Sequence, residues 1–421
     1  MTATARSWTF HDAGLRSPVL RALNLVGAGL AAAGIDIARL DPERLVASAR
    51  EKTGLDDYGD PGYRAGLDAL VESALREGGQ HAFGRIAFAG MLQRALENRL
   101  RIVDWAKRHP EVRSERIARP LVVLGMPRTG TTLLSFLLDL DPAVRSLRHW
   151  ETTELIPPAD LAGYAEDPRI AEAAKQVEQL HKLIPPLPSM HPMSSTLATE
   201  CVTLLALDFK SLQYETQALM PSYGRWLEQA DARPAYALHE LVLQILQSAL
   251  PTGTWALKTP QHLWHLEALR ERYPDARLVW THRDPAAVVP SVASLNTAFY
   301  RTWCSDVDPV KTGVYWNHEL KVGVERGLRY DAAQPSRDWC FHLQYAELMK
   351  DPVGSVQRLY AHFGDAVSDL HARRMQRWMQ DRHQAAFGRH IYRAEELGLS
   401  REGLEREYAE YRARFDVPRE D

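Results

Sequence analysis

Gly125, Arg128, Gly130, Thr131 and Thr132 lie within LVVLGMPRTGTTLL (121–134), between a short apolar run and a helix-like segment. Glycines in that setting let the backbone bend so that its N–H groups, with those of the helix start, cradle an anion. Thr131 and Thr132 add hydroxyl donors, and Arg128 adds a cation. A loop built to hydrolyse a nucleoside triphosphate carries lysine after the second glycine, followed by a hydroxyl that holds magnesium. Here Gly130 is followed by Thr131, and the run RLVWT (277–281) lacks the terminal acid of a metal-holding strand. The pattern points to an anionic ligand that needs no metal. A sulfuryl group, less negatively charged than a terminal phosphoryl group, suits it.

A second cation stands in LVWTHRDPAAVVPSVASL (278–295). Asp284 reads as a helix N-cap and Pro285 as the first helical residue, so Arg283 projects beside a helix start. Ser291 follows eight residues later. Pro290 removes a helical hydrogen bond and is expected to kink the helix just before that serine. Proton transfer from an alcohol also needs a base. Glu200 is the first candidate, in LATECVTLLALDF (197–209), whose other charge is Asp208. At about 100° per helical residue it sits at the edge of a stripe of Leu197, Cys201, Leu204 and Leu205. Partial desolvation there is expected to raise its pKa into a useful range. His262, on a helix expected to start near Pro260, is the rival.

GMPRTGTTLL resembles the 5′-phosphosulfate loop of sulfotransferases that use 3′-phosphoadenosine 5′-phosphosulfate (PAPS). The resemblance sets Arg128 on the family's lysine and Thr129 on its serine, with Gly130, Thr131 and Thr132 completing the loop. The family's adenine-stacking tryptophan falls on Leu133, so adenine packing must come from elsewhere. The arginine-to-serine spacing that carries the 3′-phosphate falls on Arg283 and Ser291. LQYAELMKDP sets Tyr345 on the tyrosine that meets the nucleoside, and AAFGRHIYRAEELGL resembles the C-terminal phosphate loop loosely, at Gly388, Arg389 and His390. Lys258-Thr259-Pro260 stands where cytosolic members have Lys-Thr-His, which keeps a lysine for the sulfuryl oxygens but removes their histidine base. Heparan-type and many bacterial members use a glutamate base, as Glu200 would be. Glu151 is expected to orient the acceptor or Arg128, and His191 to line the acceptor mouth. The implied donor is PAPS, leaving 3′-phosphoadenosine 5′-phosphate (PAP), with a lipophilic phenol, lipid or acyl alcohol as acceptor.

The elements that must position these residues follow from pattern. LVVLG (121–125), TWALK (254–258), RLVWT and CFHLQ (340–344) are short apolar runs, each followed by a helix-like stretch. That alternation predicts an α/β fold, a parallel sheet with helices on both faces, with ligands at the strands' carboxyl ends. Residues 1–118 read as an N-terminal helical region, and 119–421 as the sulfotransferase domain. ALNLVGAGLAAAGI (22–35) is too short to span a bilayer and is expected to be a buried helix rather than a signal peptide. A net charge of -3 excludes a general basic surface for nucleic acid. Three scattered cysteines make neither a zinc pattern nor a disulfide scaffold, which suits a reducing cytoplasm. A small-molecule hydroxyl acceptor is the partner expected, with no metal, nucleic acid or membrane span, and a homodimer is allowed. Two other functions compete: a metal-dependent kinase or NTPase, and a catalytically silent nucleotide-binding protein.

Overall fold

The computed structural model describes residues 7–35, 39–381 and 389–420. Five parallel strands form its central sheet: β1 Leu121–Gly125, β2 Val144–Ser146, β3 Thr254–Lys258, β4 Arg277–His282 and β5 Cys340–Gln344. Their order is β2-β3-β1-β4-β5. Four of them are the apolar runs of the sequence. The fifth, β2, is a three-residue edge strand with no apolar run to betray it.

Alternation along β1 builds two cores, one on each face of the sheet. Val122 and Leu124 join a large cluster with Leu257, Leu278 and Trp280. Leu121 and Val123 join a smaller one with Ala256, Val279 and Leu343. Residues 18–108 supply α1 Pro18–Ala32, α2 Pro42–Thr53, α3 Tyr63–Glu77 and α4 Ala82–Arg108. Leu67, Leu92 and Leu96 of these helices enter the large cluster, so the helical region shares a core with the sheet. The other helices that matter here are α5 Thr131–Asp139, α6 Arg233–Ala249, α7 Pro285–Trp303 and α8 Pro309–Ala332.

Residues 22–35 depart from expectation. They do form a helix, α1, but within it only Gly27 is fully buried. Apolar composition favours burial, yet burial needs a second layer, and among the described residues α1 packs chiefly against α4.

Register decides the rest. Val123 lies opposite both Lys258 and Val279, and Gly125 opposite Thr281. After β3 the chain crosses β1 to continue at β4. The carboxyl end of β1 therefore opens between two strands reached from opposite sides, the crevice where open α/β sheets bind ligands.

Candidate functional site

The loop leaving β1 is held by specific backbone geometry. Gly125 has φ 133° and Gly130 φ 89°, both in the left-handed region. A Cβ on Gly125 would lie 2.6 Å from the Thr281 carbonyl oxygen, and one on Gly130 would lie 3.1 Å from the Tyr345 ring. Arg128 also has φ 69°, a conformation costing a side-chain-bearing residue roughly 1–2 kcal/mol. No side chain caps α5, which leaves its first N–H groups facing the loop for an anion.

Several chain segments far apart in sequence meet here. Arg128 Nε donates to Ser291 Oγ at 3.2 Å, and its Nη1 donates to the Met190 carbonyl. Arg283 Nη1 donates to the Arg128 carbonyl oxygen at 2.8 Å, and its guanidinium lies 4.1 Å from the Tyr345 ring centroid. Asp284 caps α7 through the Ala286 N–H, and α7 runs unbroken past Pro290, with Ser291 buried on it. Arg283 is also held by Glu420, with Nε–Oε1 and Nη2–Oε2 both 2.8 Å. The Glu420 N–H donates to Asp284 Oδ2 at 2.9 Å. Nothing in the sequence marks Glu420, since its pairing depends on a distant chain segment.

A cleft opens beside this cluster, lined by Thr132, His149, His191, Glu200 and Lys258. Lys258, buried at the end of β3, donates from Nζ to Glu200 Oε1 at 2.6 Å. Burial pushes the Glu200 carboxyl up, but the charges of Lys258 and His191 and hydrogen bonds from Lys258 and Thr259 outweigh it. The net direction is below the ordinary value. Burial depresses His191 to about 4, so it is neutral near pH 7 despite the nearby Glu200 carboxylate. The cleft thus holds an ionised acid, a cation and a neutral imidazole at the mouth of an anion loop.

A model of the sulfotransferase family matches residues 120–369. This chain belongs to the sulfotransferase family. It is an enzyme that moves a sulfuryl group onto a hydroxyl, and the kinase or NTPase alternative is not favoured. The sulfotransferase is similar to the solved STF9 from Mycobacterium avium, with TM-score 0.82 and 32% identity over 89% of this chain and 97% of that one. For STF1 from Mycobacterium tuberculosis the values are 0.78 and 30%, over 87% and 98%. A curated relative from Mycobacterium bovis, omega-hydroxy-beta-dihydromenaquinone-9 sulfotransferase Stf3, is 25% identical over 62% of this chain and 67% of its own.

Several sequence expectations need correction in this sulfotransferase. Glu200 reaches the cleft, but residues 197–201 form no helix; the first helical turn is Val202–Leu205. The Cys201 N–H donates to the Lys258 carbonyl at 2.8 Å, and this backbone docking on β3, rather than a helical stripe, places Glu200. Its pKa also moves opposite to expectation because Lys258 outweighs burial. His262 lies deep in the core, where Nδ1 meets the Tyr236 hydroxyl at 2.8 Å and burial holds its pKa well below normal. A 3-10 turn, Pro260–His265, aims the ring at α6 instead of the cleft. The Thr129 hydroxyl donates to the Met126 carbonyl at 2.7 Å and lies 2.6 Å from Thr281 Oγ1, so its side chain is engaged within the protein. Leu133 belongs to the smaller core, packed away from the loop. Glu151 pairs with buried Arg145 at 2.6 Å and orients neither Arg128 nor an acceptor.

Gly388 lies outside the described residues. Arg389 is exposed and pairs with Ser7 in a two-residue strand. Its neighbour His390 reaches inward instead, with Nε2 2.8 Å from the Ser294 hydroxyl on α7. His149, two residues before Glu151, also lines the cleft and carries no signal in the sequence that marks it.

Proposed function

We propose that the sulfuryl donor is PAPS and that its two charged ends are gripped at the tips of β1 and β4. The loop amides at 128–132, the Thr131 and Thr132 hydroxyls and Lys258 hold the phosphosulfate. Arg283 and Ser291, with Arg128 between them, hold the 3′-phosphate, and Tyr345 lies beside the nucleoside. The observation that carries this reading is the hydrogen-bonded continuity from the loop to Arg283 through the Arg128 carbonyl. The site's chemistry fits the donor: an uncapped helix start, two arginines, a lysine and a glycine whose Cβ would intrude.

In the proposed reaction the acceptor hydroxyl oxygen bonds to sulfur as the sulfur–oxygen bond to the leaving phosphate breaks. Glu200 takes the hydroxyl proton. Lys258 stabilises charge on the sulfuryl oxygens, and its 2.6 Å contact keeps Glu200 ionised until the proton arrives. His191 and His149 stand at the acceptor mouth as neutral donors or acceptors.

The acceptor we favour is a lipophilic alcohol, as the name of the menaquinone-modifying relative suggests. In the proposed organisation residues 119–421 are the sulfotransferase domain, with residues 1–118 packed on it. A cytoplasmic location agrees with three buried, unpaired cysteines.

Paired calorimetric titrations with PAP and ATP test the donor. PAP should bind at micromolar affinity or better, and Arg283→Ala should weaken it more than tenfold (about 1.4 kcal/mol). Equal affinity for ATP would overturn the reading.

A further inference from the structure

We infer that α1 is a docking surface for an anionic lipid bilayer, lying on the membrane without crossing it. A helix that is apolar all round belongs in a core or a membrane. α1 carries one charged residue, Arg21, yet Val19 and Leu25 are each 76% exposed and Val26 60% exposed. Its inner face is anchored: Asn24 Oδ1 accepts the Phe83 N–H of α4 at 2.9 Å. The outer face, running through Val19, Ala22, Leu25, Val26, Gly29 and Ala32, has no layer over it among the described residues. Such a patch marks a contact surface.

Charge says what the contact is. Arg16, Arg21 and Arg301 line a cavity of about 410 Å³ beside the start of α1. Each guanidinium donates to a backbone carbonyl, those of Asp12, Leu15 and Ala13 respectively. Among the described residues none of the three meets a carboxylate. An apolar helix face ending in unneutralised arginines complements acyl chains beneath phosphate headgroups. A two-fold dimer through the same face would bring two such arginine sets to one interface, which disfavours a second copy. At 15 residues α1 is too short to span, and no described helix is long and apolar enough to cross a membrane.

The test is sedimentation of the full chain with phosphatidylcholine vesicles, with and without phosphatidylglycerol. Wild type should pellet with the anionic vesicles, and salt should release it. Arg16→Gln and Arg21→Gln should each weaken binding roughly fivefold. Leu25→Asp should abolish it while turnover of a water-soluble alcohol stays unchanged, which shows that the variant is folded. Failure to pellet, equal pelleting with both vesicles, or wild-type binding by Leu25→Asp would overturn the inference. So would a dimer that Leu25→Asp converts to monomer without any vesicle binding.

Discussion

Replacing Glu420 with glutamine should tighten the binding of PAP. In the unliganded protein the Glu420 carboxylate engages Arg283 through two contacts of 2.8 Å, at the position proposed for the 3′-phosphate. An incoming phosphate must displace that carboxylate. Exposed ion pairs are worth about 0.2–1 kcal/mol, and the upper end applies to bidentate geometry. The Arg283 and Glu420 side chains are only 18% and 30% exposed, so about 1 kcal/mol is the appropriate figure. Removing the competitor should therefore improve PAP affinity roughly fivefold, by the rule that about 1.4 kcal/mol is tenfold. Calorimetric titration of wild type and Glu420→Gln at matched ionic strength measures this directly. Adenosine 5′-phosphate, lacking the 3′-phosphate, serves as control and should bind both proteins alike. Unchanged or weaker PAP binding in Glu420→Gln, or equal gains for both nucleotides, would refute the competition.

Glu200→Gln should leave PAP affinity unchanged and lower transfer by about 10²–10⁴-fold, the usual worth of a positioned base. Because Lys258 and His191 hold the Glu200 pKa below its ordinary 4.5, the acid limb of the wild-type kcat/KM profile should fall below that pH. Asp208, wholly buried between Arg99 at 2.7 Å and Lys210, should cost about 3–5 kcal/mol of stability on replacement by alanine, measured by urea unfolding. Glu319 faces Glu215, Tyr315, Glu228, His318 and Arg326, and burial with the Glu228 charge raises its pKa from 4.5 to about 7. A raised carboxyl pKa stabilises the fold below the unfolded value and loses that contribution as pH rises to about 7. Glu319→Gln should accordingly gain roughly 3 kcal/mol at pH 8 but not at pH 4, seen as a Tm difference that grows with pH.

What the sequence disclosed was whatever local pattern determines. The four apolar runs became strands because strands covered on both faces must be apolar along their length. The helix starting at Asp284-Pro285 and the left-handed glycines 125 and 130 are likewise local properties. Lys258 and Arg283 were legible because they end such strands. Glu200 was found by a helical stripe that does not exist; its position comes from a backbone bond to β3. His262 was misjudged because the 3-10 segment after Pro260 packs into the core, where the ring meets the Tyr236 hydroxyl. Hydrophobicity predicted burial for α1, whereas its environment depends on what packs over it. Glu420 was invisible, since only the folded chain brings it to the cluster, and the loose phosphate-loop match named His390 without showing that it reaches Ser294.

The Thr129 hydroxyl, bound to the Met126 carbonyl and close to Thr281, closes the anion loop on itself and fastens it to the neighbouring strand β4. Gly130 is meanwhile seated against Tyr345. The cradle has thus surrendered its conformational freedom during folding, before any nucleotide arrives. Association should show a single kinetic phase, linear in nucleotide concentration, without the saturation that a slow loop rearrangement would impose.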